Sequence, residues 1–323
     1  MIVDSFLRPD TKKPVAIEYL EDLGVDPVAV KLAVATHWDD DHIGGFAAMM
    51  REATAAEFVC SLGLRRQQWF TFAERRQQRT LGGRFSSGVR EWIRVIDLLS
   101  DAGRAVPNWA IQDKLLRRTG RGEVWALSPS NATVDLGLAG LGIQPEDPAP
   151  GIPVCQLTPN SSSVVLRVNA GNAIALLGAD LERTDDGTRG WTAVLASAAV
   201  KGSKAQTFKV PHHGSGGADE PQVWEDLLVR DPVAPMTRFT KLADPLPTPH
   251  DRARISARTA RGYIAGRPAS RARYTGVVRR MIGAATRSGL DMLTGPVGAV
   301  RVRAPSNGQR EPTVELIGDA ESV

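Results

Sequence analysis

Cysteine is nearly absent: Cys60 and Cys155 are the only two in 323 residues. They form no disulfide framework and stand in no metal-binding spacing, so they read as free thiols in a core. Long hydrophobic runs are missing too. Nothing approaches the roughly 18 uninterrupted apolar residues of a membrane span. The start, Met1-Ile2-Val3-Asp4-Ser5, has neither the basic leader nor the apolar core of a secretion signal. These absences point to a cytoplasmic protein with no membrane partner. Internal repeats and long low-complexity linkers are also lacking, so the chain reads as one α/β body.

What is present is ordinary in bulk and uneven in detail. Hydrophobic residues make up 42% and charged residues 24%, as in soluble globular proteins, and the length allows a substantial core. Net charge is only +4, but basic residues cluster. Ten arginines and one acid fall between Asp251 and Leu290, and Arg65-Arg66, Arg75-Arg76 and Arg117-Arg118 stand as pairs. Arginine stripes bind phosphate backbones, which makes nucleic acid a candidate partner. A solvated helix surface is the plainer alternative.

Against this background one stretch stands out. Val30 to Ala35 is a mostly apolar run that reads as a buried strand. It stops at Thr36, and His37-Trp38-Asp39-Asp40-Asp41-His42 follows, then Ile43-Gly44-Gly45 and a helical segment from Phe46 to Glu52. A ligand-dense loop between a strand and a helix can fix several metal ligands at once. The donors at His37, Asp39, Asp41 and His42 suit a divalent zinc, manganese or iron, and the lack of cysteine argues against a purely structural zinc. Such a loop can also be a solvated turn or a helix cap, because Asp favours both. The other three of the five histidines fall at His212-His213 and His250.

Along the chain, helices are expected over Pro14–Leu23, Val89–Leu99, Trp191–Val200 and Pro221–Leu228. Strands are expected at Phe58–Leu62, Glu123–Leu127 and Phe208–Val210. Two more, Ser163–Val168 and Ala173–Gly178, join through a hairpin turn. The segment from 64 to about 118 has a helical pattern, and Ser128 to Pro153 reads as loop. Ala299–Arg303 and Thr313–Ile317 can pair as a hairpin. Several strands thus run into carboxylates or histidines: Asp4, the 37–42 loop, Asp180 and His212-His213. Ligands at strand ends from separate segments suit a dinuclear site, where two metals acidify a water for attack on a phosphoryl or acyl centre. Asp180 is placed to bridge them.

In order, His37-Trp38-Asp39-Asp40-Asp41-His42-Ile43-Gly44-Gly45, Asn160-Ser161-Ser162-Ser163, Leu177-Gly178-Ala179-Asp180-Leu181-Glu182 and Lys209-Val210-Pro211-His212-His213-Gly214-Ser215 resemble the metallo-β-lactamase superfamily. Within it they resemble the ComEC-like branch, here without the membrane channel. The resemblance covers about residues 1 to 250 and implies an α/β fold, an αββα sandwich with metals at one edge of two sheets. It implies two divalent metals, zinc or manganese: His37 and Asp39 on one, Asp41 and His42 on the other, Asp180 bridging, and His212 or His213 completing the set. Asn160 stands where many relatives carry histidine, and Asn160 or Ser162 can fill in there. Asp41 is then catalytic as well as a ligand, and His250 is a candidate to contact phosphate or donate a proton. The resemblance also places several strands before Asp4. They are not in this chain, which implies either a sandwich shortened at its N-terminus or a start assigned too late.

The resulting expectation is a metallo-β-lactamase-like hydrolase domain over 1–250 with a helical insert at about 64–118. A basic extension over 251–323 packs on the same body. The leading function is a metal-dependent phosphodiesterase or nuclease. The alternatives are a hydrolase of a lactone, thioester or cyclic nucleotide, or a weakly active metal-binding interaction module.

Overall fold

The structure, a computed structural model, describes residues 1–8, 11–64, 87–105, 107–120, 122–142, 158–240, 244–266, 281, 298–307 and 311–323. Four parallel strands form one sheet in sequence order: β1 (Ile2–Val3), β2 (Leu32–Ala35), β3 (Glu57–Ser61) and β4 (Asn108–Ala110). The second sheet holds β5 (Lys114–Thr119), β6 (Gly122–Ala126), β7 (Leu166–Ala170), β8 (Ala173–Leu177), β9 (Ala205–Lys209), β10 (Leu228–Thr237) and β11 (Gly262–Ala265). β12 (Gly298–Arg303) and β13 (Thr313–Gly318) make a separate antiparallel hairpin, and β14 (Glu321–Ser322) returns to the second sheet. That sheet runs β14-β11-β10-β9-β8-β7-β6-β5, antiparallel from β5 to β8, parallel from β8 to β11 and antiparallel at β14.

Strand alternation explains the layering, because successive side chains point to opposite faces. On β2, Leu32 and Val34 face a core shared with Val59, Ala110, Leu116, Ala126, Val164 and Leu166, which fills the space between the sheets. Ala33 and Ala35 face the other way, into a core with Ile17, Phe46, Met49 and Trp92. Those residues come from α1 (Val15–Asp22), α3 (Phe46–Glu52) and α4 (Ser87–Asp101), while the short α2 (Asp40–Ile43) lies in the ligand loop. After α5 (Asn131–Gly142), the outer face of the second sheet is covered by α6 (Gly190–Ala196), the turn at Val223–Leu227 and α7 (Pro249–Ser256). There Trp191, Val194, Trp224 and Ile255 pack on Ile174, Leu176, Phe208 and Ile264. The order is helices, sheet, sheet, helices. This mixed α/β architecture is the expected sandwich. No helix among the described residues is long and apolar enough to cross a membrane.

Several local expectations change. The segment expected to be helical over 64–118 holds α4, but also β4 and β5, one strand for each sheet; residues 65–86 lie outside the described part. Lys114–Thr119 hides its strand character because Leu116 alone is buried while the arginines stay wet. The loop expected from Ser128 contains α5. Trp191–Val200 breaks at Ser197, whose hydroxyl accepts from the Ala199 amide to start a separate 3-10 turn. Pro221–Leu228 is largely a π-helical turn, and it leads into β10, which the sequence reading missed. Pro232 and Pro235 in β10 argue against an interior strand. The ladder takes Pro232 by shifting register between Leu228 and Val233, with Asp231 at φ 56°, while Pro235 stays paired with Tyr263 and its carbonyl accepts from the Val210 amide at 2.9 Å. The chain after residue 250 enters the second sheet itself through β11 and β14 rather than only packing on it.

The ligand loop is clamped from outside. The Ser87 hydroxyl donates to Asp40, and Gly88 packs against the Trp38 carbonyl. Buried Glu91 accepts from the Ala47 amide at 2.9 Å, which satisfies a first-turn N–H of α3 that has no side-chain cap of its own. Helix propensity alone would have Gly88→Ala stabilise by up to about 1 kcal/mol. A Cβ there would overlap the Trp38 carbonyl oxygen, so the expected outcome has the opposite sign. Destabilisation by about 1–3 kcal/mol, read as a lower urea midpoint, is predicted for Gly88→Ala.

Candidate metal centre

β1 and β2 are parallel neighbours that end side by side, at Asp4 and Thr36. Asp4 sits at φ 59°, a left-handed conformation that costs a non-glycine residue energy. Its carboxylate explains why the chain holds it there. Oδ1 accepts from the Thr36 amide at 2.8 Å, and Oδ2 accepts from the Thr36 hydroxyl at 2.9 Å. His42 Nδ1 lies 2.7 Å from the same Oδ2. A carboxylate only accepts, so His42 carries its proton on Nδ1, which leaves Nε2 free as a donor to a metal. Thr36 Oγ1 also lies 3.0 Å from His37 Nδ1. Having given its own proton to Asp4, the hydroxyl accepts there, and His37 too presents Nε2. One carboxylate thus fixes two imidazoles.

β8 and β9, parallel neighbours in the other sheet, end in the same region. Ala179 (φ 46°), His212 (φ 45°) and His213 (φ 54°) are all left-handed, and the His212 amide donates to the Ala179 carbonyl at 3.0 Å. These turns bring Asp180 and His213 to the loop. Asp180 Oδ1 is 3.3 Å from His42 Nε2, and Oδ2 is 3.6 Å from His213 Nε2. His213 Nε2 is 3.1 Å from Asp41 Oδ2, and its Nδ1 is 2.9 Å from the Thr237 hydroxyl. Two overlapping groups result: His37, His42 and Asp180, and Asp41, His42 and His213, with the donor atoms of each within 4.8 Å of one another. His37 Nε2, His42 Nε2 and Asp180 Oδ1 are buried without a hydrogen-bond partner. Such atoms cost about 1–3 kcal/mol each when left unpaired. Converging nitrogen and carboxylate donors of this kind fit divalent metal ions, so the residues present fit the metals the motif implies.

The charges are strongly coupled. Burial disfavours charge on His42, but Asp4 and Asp180 overcome it and hold its pKa up at about 10. Burial, reinforced by His42, pushes His37 down to about 4. Burial and the neighbouring Asp41 push Asp39 up to about 6. Asp41 resists its own burial through the His213 hydrogen bond and the His42 charge, and falls to about 2. Asp180 likewise lies well below the carboxylate range, because the adjacent His42, with the charges of His213 and His37, outweighs burial.

Of the residues expected to ligate, His37, Asp41, His42, Asp180 and His213 meet. Asp39 lies beside them, half exposed, with Oδ2 3.7 Å from His37 Nε2. His212 points elsewhere: its Nδ1 is 3.3 Å from Glu182 Oε1, which also accepts from Asn160 Nδ2 at 3.1 Å. Glu182 holds the His212 pKa above its usual value against the effect of burial. Asn160 Oδ1 is buried without a partner, and the Ser162 hydroxyl donates to the Pro159 carbonyl at 3.1 Å. His250 is exposed in the first turn of α7, and no contact among the described residues joins it to the cluster. Sequence reasoning missed Thr36, Thr237 and the partnership of Glu182 with His212. Thr36 was signalled by its place between the strand and His37, whereas nothing in the sequence pointed to Thr237.

Two expectations follow. In metal-free protein the raised His42 pKa gives stability that is complete below the unfolded value of about 6.5. It is lost as pH rises to about 10, so thermal midpoints should fall across that window while zinc affinity, which requires His42 to lose its second proton, should rise. Asp4→Asn removes the acceptor that orients His42, and chelator competition should show about 10–100-fold weaker metal binding.

No curated protein matches the sequence. Among solved structures, the chain is similar to a metallo-β-lactamase HARLDQ motif mutant from Cronobacter sakazakii (Enterobacter sakazakii), at 13% identity and a TM-score of 0.34. The match covers 64% of this chain and 64% of that one. Residues 1–130 match the family model described as Metallo-beta-lactamase superfamily, a stretch that holds Asp4 and the whole His37–His42 loop and ends before Asp180 and His213.

Proposed function

We propose that this chain is a metal-dependent hydrolase of phosphodiester bonds, of the ComEC-like kind, with nucleic acid as one class of substrate. The observation that carries the proposal is the buried meeting of His37, His42 and His213 with Asp41 and Asp180. Two divalent cations bound there, zinc or manganese, would supply Lewis acidity and an acidified water. The remaining steps belong to the protein. Asp4 and Thr36 keep His37 and His42 in one tautomer, and Asp180, flanked by His42 and His213, reaches both groups of donors. Carboxylates outnumber what a single cation needs, and the oxygen-rich set favours manganese more than an all-histidine set does. His212, half exposed and backed by Glu182, takes the role of contacting a substrate oxygen that the sequence reading gave to His250.

A small-molecule substrate is the second reading, and three of the described arginines favour it. Within the basic run, Arg252 pairs with Glu321, Arg254 with Asp219 and Asp251, and Arg261 with Glu311. These guanidinium groups hold the fold together instead of forming an open stripe for a phosphate backbone.

The test is turnover by zinc- or manganese-loaded protein on two panels. One holds bis(p-nitrophenyl) phosphate with single- and double-stranded DNA and RNA; the other holds a lactone, a thioester and a cyclic nucleotide. Phosphodiester cleavage is expected, with Asp41→Ala, His42→Ala and Asp180→Ala each at least about a hundredfold slower, since even residues behind the ligands cost that much. Turnover confined to the second panel would select the small-molecule reading. No turnover by metal-loaded wild type would overturn both and leave a metal-binding interaction module.

A further inference from the structure

One lysine ends the strand that leads into the His212-His213 turn. Lys209 is the last residue of β9 and pairs with Leu177 of β8. Phe208 packs in the outer core, so strand alternation turns Lys209 to the opposite face. Its register partner Leu177 packs against the core between the sheets, so Lys209 faces that same space, just before the turn that carries His212 and His213. The Lys209 ammonium donates to the Val210 carbonyl at 3.1 Å and forms no ion pair among the described residues. Burial disfavours its charge, and Asp180, Asp4 and Asp41 are the carboxylates whose fields oppose that effect.

We propose that Lys209 is a positioning residue that sets the charge of the metal centre, weakening its hold on cations and strengthening its hold on an anion. Charge accounting gives the reason. Four carboxylates, Asp4, Asp39, Asp41 and Asp180, balance two divalent cations, and the three imidazoles are neutral when they act as ligands. The Lys209 ammonium then leaves the loaded centre with a single positive charge. A hydroxide or a phosphoryl oxygen is attracted to that charge, while a second divalent cation is repelled by it during loading. The ammonium need not touch substrate to do this. The proposal rests on the metal-hydrolase reading and adds to it a residue outside the ligand set.

The experiment compares wild type, Lys209→Met, Lys209→Gln and the charge-retaining Lys209→Arg. Zinc affinity is read by chelator competition, and inorganic phosphate affinity of the zinc-loaded protein by calorimetry. One unit charge acting through a partly screened interior is worth about tenfold in affinity. The Met and Gln variants should bind zinc about tenfold tighter and phosphate about tenfold weaker, with Arg within about threefold of wild type on both. These opposite signs are the readout that a structural lysine would not produce. Equal affinities in all four proteins, or parallel weakening of zinc and phosphate, would overturn the role of Lys209 and leave the hydrolase reading standing. Wild type that binds no zinc would overturn both.

Discussion

The structure depends on the Asp4 carboxylate. Its two oxygens accept three hydrogen bonds, two from Thr36 and one from His42, and each does separate work. The amide bond to Thr36 joins the ends of β1 and β2 beyond their two ladder pairs. The hydroxyl bond fixes the direction in which Thr36 can serve His37. The imidazole bond decides which nitrogen of His42 faces the interior. Removing the carboxylate would leave a buried imidazole and a hydroxyl with no defined orientation, and the loop between them would lose its geometry.

Parallel pairing makes the rest possible. Parallel neighbours end at the same edge, so β1 and β2 deliver Asp4, His37 and His42 together, while β8 and β9 deliver Asp180 and His213. The two sheets stack face to face through Leu32, Val34, Val164 and Leu166, which aligns the two edges across the core. Each sheet carries part of the site, and neither part is a metal site alone. The site's geometry is therefore as rigid as the packing between the sheets, and α4, pressed against the loop at Gly88, closes the remaining freedom of Trp38 to Asp40.

The cluster of candidate donors was legible in the sequence because its spacing is local and its residue types are scarce. Five histidines in 323 residues leave few ways to build a cluster, and strand-then-donor patterns at four places pointed to a shared edge. The division between His212 and His213 was not legible. Adjacent residues are equivalent in a pattern, and only the left-handed turn at both positions, with Thr237 behind one and Glu182 beside the other, separates ligand from neighbour. His250, which no contact among the described residues joins to the cluster, is a related case. It stands near Asp251, whose carboxylate is committed to capping α7 through Thr248, so the local pattern reports a helix start rather than a site. β10 escaped notice because its prolines argue against a strand, and the register shift at Pro232 and the pairing of Pro235 with Tyr263 depend on neighbours far away in sequence.

Backbone strain gathers where the donors meet. Asp4, Ala179, His212 and His213 all hold positive φ, at a cost on the order of 1–3 kcal/mol each. Elsewhere a glycine would relieve that cost, but at Asp4 and His213 the side chains supply partners that the cluster needs. The strain therefore has to be offset by interactions of the same residues. His37 Nε2, His42 Nε2 and Asp180 Oδ1 are buried without a hydrogen bond, the last two facing each other at 3.3 Å as an ion pair, so the offset is incomplete. The same sequence thus carries two costs at one edge, bent backbone and orphaned donors. A cation shared among those donors would relieve the second and, by holding the side chains, would stabilise the turns that create the first. Metal binding at this edge would therefore be coupled to folding.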